Sequence, residues 1–336
     1  MSAFDFEPDA LKSILDEHLG VEDMTQLERI SGGQSNPTYY LTHGSRRLVL
    51  RKQPNGPILR GAHAVDREFR VMTALGQQAV PVPDTVFFHE NPADLGTPFY
   101  LMDRVEGRVF EDCALPGMSP EERRAIYFGM ADAMAQMHSI DPQVAGLADY
   151  GKPGDYFQRQ IKRWTRQLHA STGDPIAELD RLAEWLPSQV PPEDGRVAVA
   201  HGDFRLGNMM FHPTEPRVVA ILDWELSTLG HPLADLGFCC MTWHSTPEEY
   251  GGIRGLDWQA LGIPSKQEFV DRYYASANPT KALQDFHIAF SLFRFAVIFV
   301  GIADRARAGN ASAVNAAETA PLARAFAIRG LEIVDA

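Results

Sequence analysis

Near the middle of the chain, Asp203, Asn208 and Asp223 have the residue types and spacing to activate a hydroxyl and hold a divalent cation. They lie within VAVAHGDFRLGNMMFHPTEPRVVAILDWELSTLGHPLADLG, from Val197 to Gly237. A carboxylate beside a hydroxyl can orient it and take its proton, a task that suits Asp203. Asn208, five residues on, and Asp223 offer the oxygen ligands that a hard cation such as Mg²⁺ prefers. This is the spacing with which phosphoryl-transferring loops place their base and metal ligands. A different use of the region, a hydrolase metal cluster of His201, Asp203, His212 and Asp223, leaves Asn208 without a task. His201 is expected to hydrogen-bond the loop backbone and the Asp223 region rather than touch substrate.

Short strands must carry these residues. VAVA and VVAIL are apolar, rich in β-branched side chains, too short for helices, and bounded by polar, Gly or Pro residues. Each delivers its acid just past a strand end, where a loop can hold a carboxylate rigidly. Upstream, a helix of roughly Asp9 to His18 precedes three strand-like segments, QLERI, PTYYLTH and RRLVLRK, with HGS as a hairpin turn. Between the first two, Ser31, Gly32, Gly33, Gln34 and Ser35 form a small loop whose backbone N–H groups could approach phosphates closely. It is neither a Walker A loop nor G-x-G-x-x-G. The third strand ends in Arg51-Lys52, and the following helix, VDREFRVMTALG, offers Glu68 as a partner for a phosphate-binding cation. Alternation sends the two basic side chains to opposite faces. Position along the strand favours Arg51, with Lys52 a rival; whichever is unused is expected to be a solvated strand-end charge. Arg67 is expected on the surface. PFYLM reads as a further strand, and Asp103 to Gly107 as a hinge whose backbone could hold adenine, with Met102, Asp103 and Val105 beside it. Phe99, Tyr100 and Met102 either line that slot or pack the core.

The remainder reads as mostly helical. Ser119 with Glu122 three residues later is a capping-box signal ahead of EERRAIYFGMADAMAQMHSI, where His138 is expected to cap or pack. Tyr156, Trp164 and Trp185 read as core of further helices, and PSQVPPEDG at 187–195 as a surface loop. Beyond Gly237, FCCMTWHS, KQEFVDRYYASA, KALQDFHIAFSLFRFAVIFVGIADRARAG and a last helix from about Ala316 follow. Trp243, His244, Trp258, Tyr273, Tyr274, Phe290 and Phe293 there could wall an apolar acceptor pocket. Glu248, Glu249, Glu268 and Asp271 read as solvated.

Bulk properties suit a sizeable soluble enzyme. A chain of 336 residues is long enough for two domains. With 44 acidic against 31 basic residues, the formal charge of -13 argues against nucleic acid or an anionic membrane as partner. Cys113, Cys239 and Cys240 form no disulfide framework or metal-ligand set. No basic-plus-apolar leader is evident, and FRFAVIFVGIA is interrupted by Arg294 and reads as too short to span a bilayer. The location expected is cytoplasmic.

HGDFRLGNMMF, ILDWELSTLGHPLADLG, LVLRKQP with VDREFRVM, and FYLMDRVEGRVF together resemble the aminoglycoside phosphotransferase-like (choline/homoserine kinase-like) superfamily. The likeness runs above all to the phosphotransferase domain of acyl-CoA dehydrogenase family members ten and eleven. It implies an α+β, bilobal protein-kinase-like fold, with an N-terminal antiparallel sheet and helix lobe over 1–105 and a mostly helical catalytic lobe over 106–336. It also implies ATP with Mg²⁺ and transfer to a small-molecule hydroxyl, with Asp203 as base, Asn208 and Asp223 as metal ligands, and Arg51 backed by Glu68 as phosphate cation. Arg where many kinases have Lys is a departure, and the two are not interchangeable at a bidentate site. Glu225 would add a carboxylate to the metal or substrate site, and Asp235 would anchor the catalytic loop from below. The acceptor class implied is a hydroxylated acyl chain, such as 4-hydroxyacyl-CoA. Alternatives are an aminoglycoside or other small-alcohol kinase, or a nucleotide-binding protein without transfer activity.

Overall fold

The computed structural model describes residues 4–30, 36–56, 63–277, 281–307 and 320–335. The chain divides into two compact units, 1–107 with 219–225, and 108–218 with 226–336. The first is built on an antiparallel sheet. Helix α1 (Pro8–Leu19) leads into β1 (Met24–Arg29), β2 (Thr38–His43) and β3 (Arg46–Lys52). Helix α2 (Val65–Gly76), strand β4 (Thr85–His89), the short α3 (Pro92–Leu95) and β5 (Phe99–Asp103) complete it. The strand order is β1-β2-β3-β5-β4, which makes β3 the central strand.

Period-two alternation along β3 sorts its side chains onto two faces. Leu48 and Leu50 join Tyr39, Leu41, Phe99 and Leu101 in one apolar cluster. Helix α1 covers that cluster with Leu11, Ile14 and Leu15, spaced to fall on one helical face. Arg51 belongs to the opposite face and pairs across the ladder with Thr38 and Tyr100. Helix α2 packs against β4 and β5. Its buried stripe of Val65, Val71, Met72 and Leu75 is interrupted by one charged residue, Glu68.

The second unit is mostly helical. It contains α4 (Pro120–Ser139), α5 (Tyr156–His169) and α6 (Ala177–Trp185), then the short strands β6 (Ala198–Ala200) and β7 (Met209–Phe211). The chain returns to the first unit along β8 (Val218–Ile221) and leaves it again before β9 (Thr228–Gly230). Helices α7 (Leu233–Cys240), α8 (Lys266–Ser276), α9 (Asp285–Arg307) and α10 (Ala320–Val334) follow. At α4 the expected capping box forms: the Glu122 N–H donates to Ser119 Oγ (3.2 Å), and the Ser119 N–H to Glu122 Oε2 (2.9 Å).

Two expectations need correction here. Helix α9 begins at Asp285, because Lys281–Gln284 lie outside it and an acidic residue suits a first turn. The helix is also not too short to span a bilayer: at 23 residues it has the length and hydropathy to cross one. Its most apolar window is 83% buried, however, and it packs against α10, α7 and α5 as the core helix of a soluble protein does. Arg294 is buried within it, its guanidinium lying over the rings of Trp164 and Phe238.

Candidate active site

The first unit assembles a charged cluster around Arg51. Its Nε lies 2.8 Å from Glu68 Oε2, a close ion contact rather than an aligned hydrogen bond. Its Nη2 donates to Asp223 Oδ1 at 2.9 Å, and Glu225 Oε2 stands 4.0 Å away. Glu68 is itself clamped, by Asn36 Nδ2 on Oε1 (2.7 Å) and by the Tyr100 hydroxyl on Oε2 (3.0 Å). With its nitrogen turned to Glu68, Asn36 presents its oxygen to His63 Nδ1 at 2.9 Å. Burial works against the Arg51 charge, yet Glu68, Tyr100, Asp223 and Glu225 hold the guanidinium more firmly protonated than usual. Burial likewise pushes the Glu68 carboxyl up, opposed by Arg51 and by the two hydrogen bonds. Asp223 has a left-handed backbone, φ 64°, a region that short polar residues enter more readily than others and that recurs at functional sites.

Lys52 is not the solvated charge expected of the unused cation. Its side chain is fully buried on the other face of β3, with Nζ 2.8 Å from Asp5 Oδ2, 3.2 Å from Asn55 Oδ1 and over the Phe6 ring. The strand is central, so both faces are covered. Phe99 and Tyr100 are core residues rather than walls of an adenine slot, and Tyr100 uses its hydroxyl on Glu68. In the expected hinge, the Asp103 N–H donates to the Asp84 carbonyl, and the Asp103 carboxylate accepts from Arg46 (2.7 Å). The Arg104 N–H donates to the Arg47 carbonyl. Those two N–H groups are thus committed to the fold, whereas half-buried Met102 and Val105 remain beside the strand end. The loop Ser31, Gly32, Gly33, Gln34 and Ser35 lies outside the described residues.

In the second unit, Asp203 and Asn208 are locked together. Asn208 Nδ2 donates to both the Asp203 carbonyl (2.8 Å) and Asp203 Oδ2 (2.7 Å). Arg205 Nε donates to the same carboxylate oxygen at 3.4 Å. His201 is buried and accepts the Asp203 N–H on Nδ1 (3.1 Å), a loop-backbone contact of the kind expected. Beneath the loop, Asp235 accepts the His201 N–H (2.7 Å) and the Gly202 N–H (2.9 Å). His138 does more than cap or pack, because its Nε2 meets Asp235 Oδ2 at 3.1 Å and its Nδ1 meets the Tyr273 hydroxyl at 2.9 Å. Burial alone would raise the Asp235 carboxyl. The His138 contact, the nearby His201 and the Gly202 N–H outweigh it and lower the value. Gly202 has φ 84°, and a Cβ there would stand 2.8 Å from the Leu226 carbonyl oxygen, so only glycine fits this turn.

A cleft opens beside this loop, lined by Arg205, Leu206 and Gly207 together with Tyr127, Phe238, Trp243, Phe269 and Phe295. Of the aromatic residues expected as pocket walls, Trp243 is there. Phe290 and Phe293 are fully buried in the core, and Tyr273 bonds His138. Glu249 also lines the cleft and is not solvated, being gripped by Arg329 through both oxygens at 2.8 and 2.9 Å. Among the described residues, no group of three or more His, Cys, Asp or Glu side chains is placed to hold a metal.

An antiparallel-sheet unit and a larger helical unit are the two lobes of the α+β, protein-kinase-like phosphotransferase class. The sequence model of the Phosphotransferase enzyme family matches residues 26–263, and the chain belongs to that family. It is 44% identical to an aminoglycoside phosphotransferase-type protein of Ralstonia eutropha, whose crystal structure aligns with a TM-score of 0.89 over 98% of both chains. Among curated proteins it is 41% identical over 325 residues to mouse acyl-CoA dehydrogenase family member 10. It is 40% identical over 312 residues to chicken acyl-CoA dehydrogenase family member 11. These matches take in 95% and 91% of this chain but only 30% and 40% of the relatives, so the chain spans well under half their length. Spectinomycin phosphotransferase, solved with ADP and spectinomycin, shares the fold at a TM-score of 0.64 with 12% identity, over 98% of this chain and all of that one. The chain is accordingly a member of a phosphotransferase enzyme family with the kinase-like fold.

Proposed function

We propose that the protein moves the γ-phosphoryl group of ATP, with Mg²⁺, to the hydroxyl of a hydroxyacyl compound, a hydroxyacyl-CoA or the free hydroxy acid. The observation that carries the transfer reading is the double hydrogen bond from Asn208 Nδ2 to Asp203. It fixes the carboxylate that would take the acceptor proton as the hydroxyl oxygen attacks the γ-phosphorus. It also commits the amide nitrogen, so the amide oxygen is the atom Asn208 has to offer a hard cation. Asp223 contributes carboxylate oxygens, and this all-oxygen donor set fits Mg²⁺. The cation would neutralise charge on the phosphates. Arg51, kept charged and aimed by Glu68, is suited to bidentate contact with the α/β-phosphates. In this proposal residues 1–105 hold nucleotide, residues 106–336 hold the acceptor, and the enzyme works in the cytoplasm.

The acyl class is supported by the aromatic and apolar lining of the cleft beside Asp203 and by the names of the mouse and chicken relatives. Each methylene buried there would contribute about 0.8 kcal/mol, so KM should fall as the acyl chain lengthens. The test is turnover and calorimetry on Asp203→Asn and Asp223→Asn, with hydroxyacyl-CoA acceptors of graded length. Asp203→Asn is expected to abolish transfer while still binding MgATP, and Asp223→Asn to weaken metal-dependent nucleotide binding as well. Near-normal turnover in Asp203→Asn would remove the base assignment. Nucleotide binding by the wild type without transfer to any acceptor would point instead to a binding protein, and preference for an aminoglycoside to a different acceptor class.

A further inference from the structure

We infer that Arg205 is the specificity-determining residue of the acceptor cleft, selecting hydroxylated apolar molecules that carry an acidic group and rejecting cationic ones. The inference rests on the reading of Asp203 as the hydroxyl's base. Arg205 lines the cleft, with its guanidinium 5.4 Å from the centre of the Tyr250 ring and its Nε 3.4 Å from Asp203 Oδ2. A group bound to this guanidinium is therefore held close to the carboxylate that would receive the hydroxyl proton. The remaining partner of Arg205 is loose: Glu111 Oε2 stands 3.7 Å away on a side chain that is 78% exposed, a contact of little worth that an acceptor anion can displace.

The local backbone is shaped around this arginine. A Cβ on Gly207 would stand 2.5 Å from Arg205 Nη1 and 2.9 Å from Glu111 Oε2, so a larger residue there would push these two side-chain ends aside. Tyr250, the ring beneath the guanidinium, has a left-handed backbone at φ 67° and is braced against Phe295 and Phe299. Strain of this kind persists where the surroundings require it.

Of the cleft's two carboxylates, Glu249 is neutralised by the two-pronged contact with Arg329 while also accepting the Thr246 N–H at 3.0 Å, which leaves Glu111, beside Arg205, as the one a cation could meet. A polycationic acceptor would have to break the Glu249–Arg329 pair and stand against Arg205 in a largely apolar space, whereas a carboxylate or phosphate on an apolar body meets a ready guanidinium.

Equilibrium titration of the full-length protein with a medium-chain hydroxy fatty acid, its primary amide and the matching amino alcohol tests this without needing turnover. Phosphorylated product is measured on the same probes with MgATP. Wild type should bind the acid about tenfold or more tightly than the amide, as a charged hydrogen bond is worth, and the amino alcohol least. Arg205→Gln should reduce acid binding to the level of the amide and leave amide binding unchanged. Arg205→Lys should keep part of the preference, and Glu111→Gln should tighten acid binding. Equal wild-type affinity for acid and amide, or equal loss of both in Arg205→Gln, would overturn the assignment. An Arg205-dependent preference without phosphorylation of any probe would uphold it while removing the proposed transfer. Phosphorylation of acid, amide and amino alcohol with equal efficiency would do the reverse.

Discussion

Neighbouring basic residues on β3 have opposite fates, and one experiment should separate them. Arg51 faces Glu68 and Asp223, whereas Lys52 is buried against Asp5 and Phe6. Arg51→Ala should therefore lower turnover far more than Lys52→Ala, and Arg51→Lys should rescue only part of it, because an ammonium lacks the planar fork. Lys52→Ala should instead lower stability by about 1–3 kcal/mol, since a buried cation and its packing are lost and Asp5 is left only partly solvated. Steady-state kinetics paired with thermal melts on the three variants decides this; a larger turnover loss in Lys52→Ala would reverse the roles. Asp235 supports a second expectation. Its folded pKa lies below the ordinary 3.8, so at acid pH the unfolded chain takes up this proton before the folded one does. Its contribution to stability is complete above the unfolded value and is lost as pH falls through the depressed one. Chemical denaturation across that acid range should show stability rising with pH in the wild type and rising less steeply in Asp235→Asn. Equal slopes would mean that the His138 and backbone contacts do not favour the charged carboxylate.

At the scale of elements, helix starts and strand faces are set by nearby residues. The α4 capping box is an example: Ser119→Ala should reduce stability by about 1 kcal/mol without altering kinetic constants, because only the helix start is lost. A denaturant midpoint unchanged from wild type would show the cap to be dispensable. The same locality explains what could be read in advance. The limits of α2, the alternation that separates Arg51 from Lys52, the turn between β2 and β3, and the Asp203–Asn208 loop all follow from patterns a few residues long. What escaped prediction depends on partners far along the chain. Asp5 reaches Lys52, Arg329 reaches Glu249, and Tyr273 reaches His138, and no local pattern announces such pairings. Glu249 looked like a surface charge because an isolated glutamate usually is one. Phe290 and Phe293 looked like pocket walls because aromatic content does not reveal which face of a long buried helix meets a cleft.

On the scale of the whole molecule, chain order and spatial grouping do not coincide. The chain passes between its two units three times, and the segment 219–225 belongs with residues 1–107. That segment supplies Asp223 and Glu225, two of the three carboxylates around Arg51. A gene encoding only residues 1–107 would thus yield a lobe whose arginine answers to Glu68 alone. Such a fragment, even if folded, should show no Mg²⁺-dependent gain in ATP affinity, measured by calorimetry with and without the cation. A gain equal to that of the intact chain would move the metal ligand elsewhere. For protein engineering the same threading is a constraint: the chain cannot be divided into its two compact units at one point in its gene. An exchange of whole units between relatives would have to splice at three junctions, and any single-crossover chimera would carry a unit built from two parents.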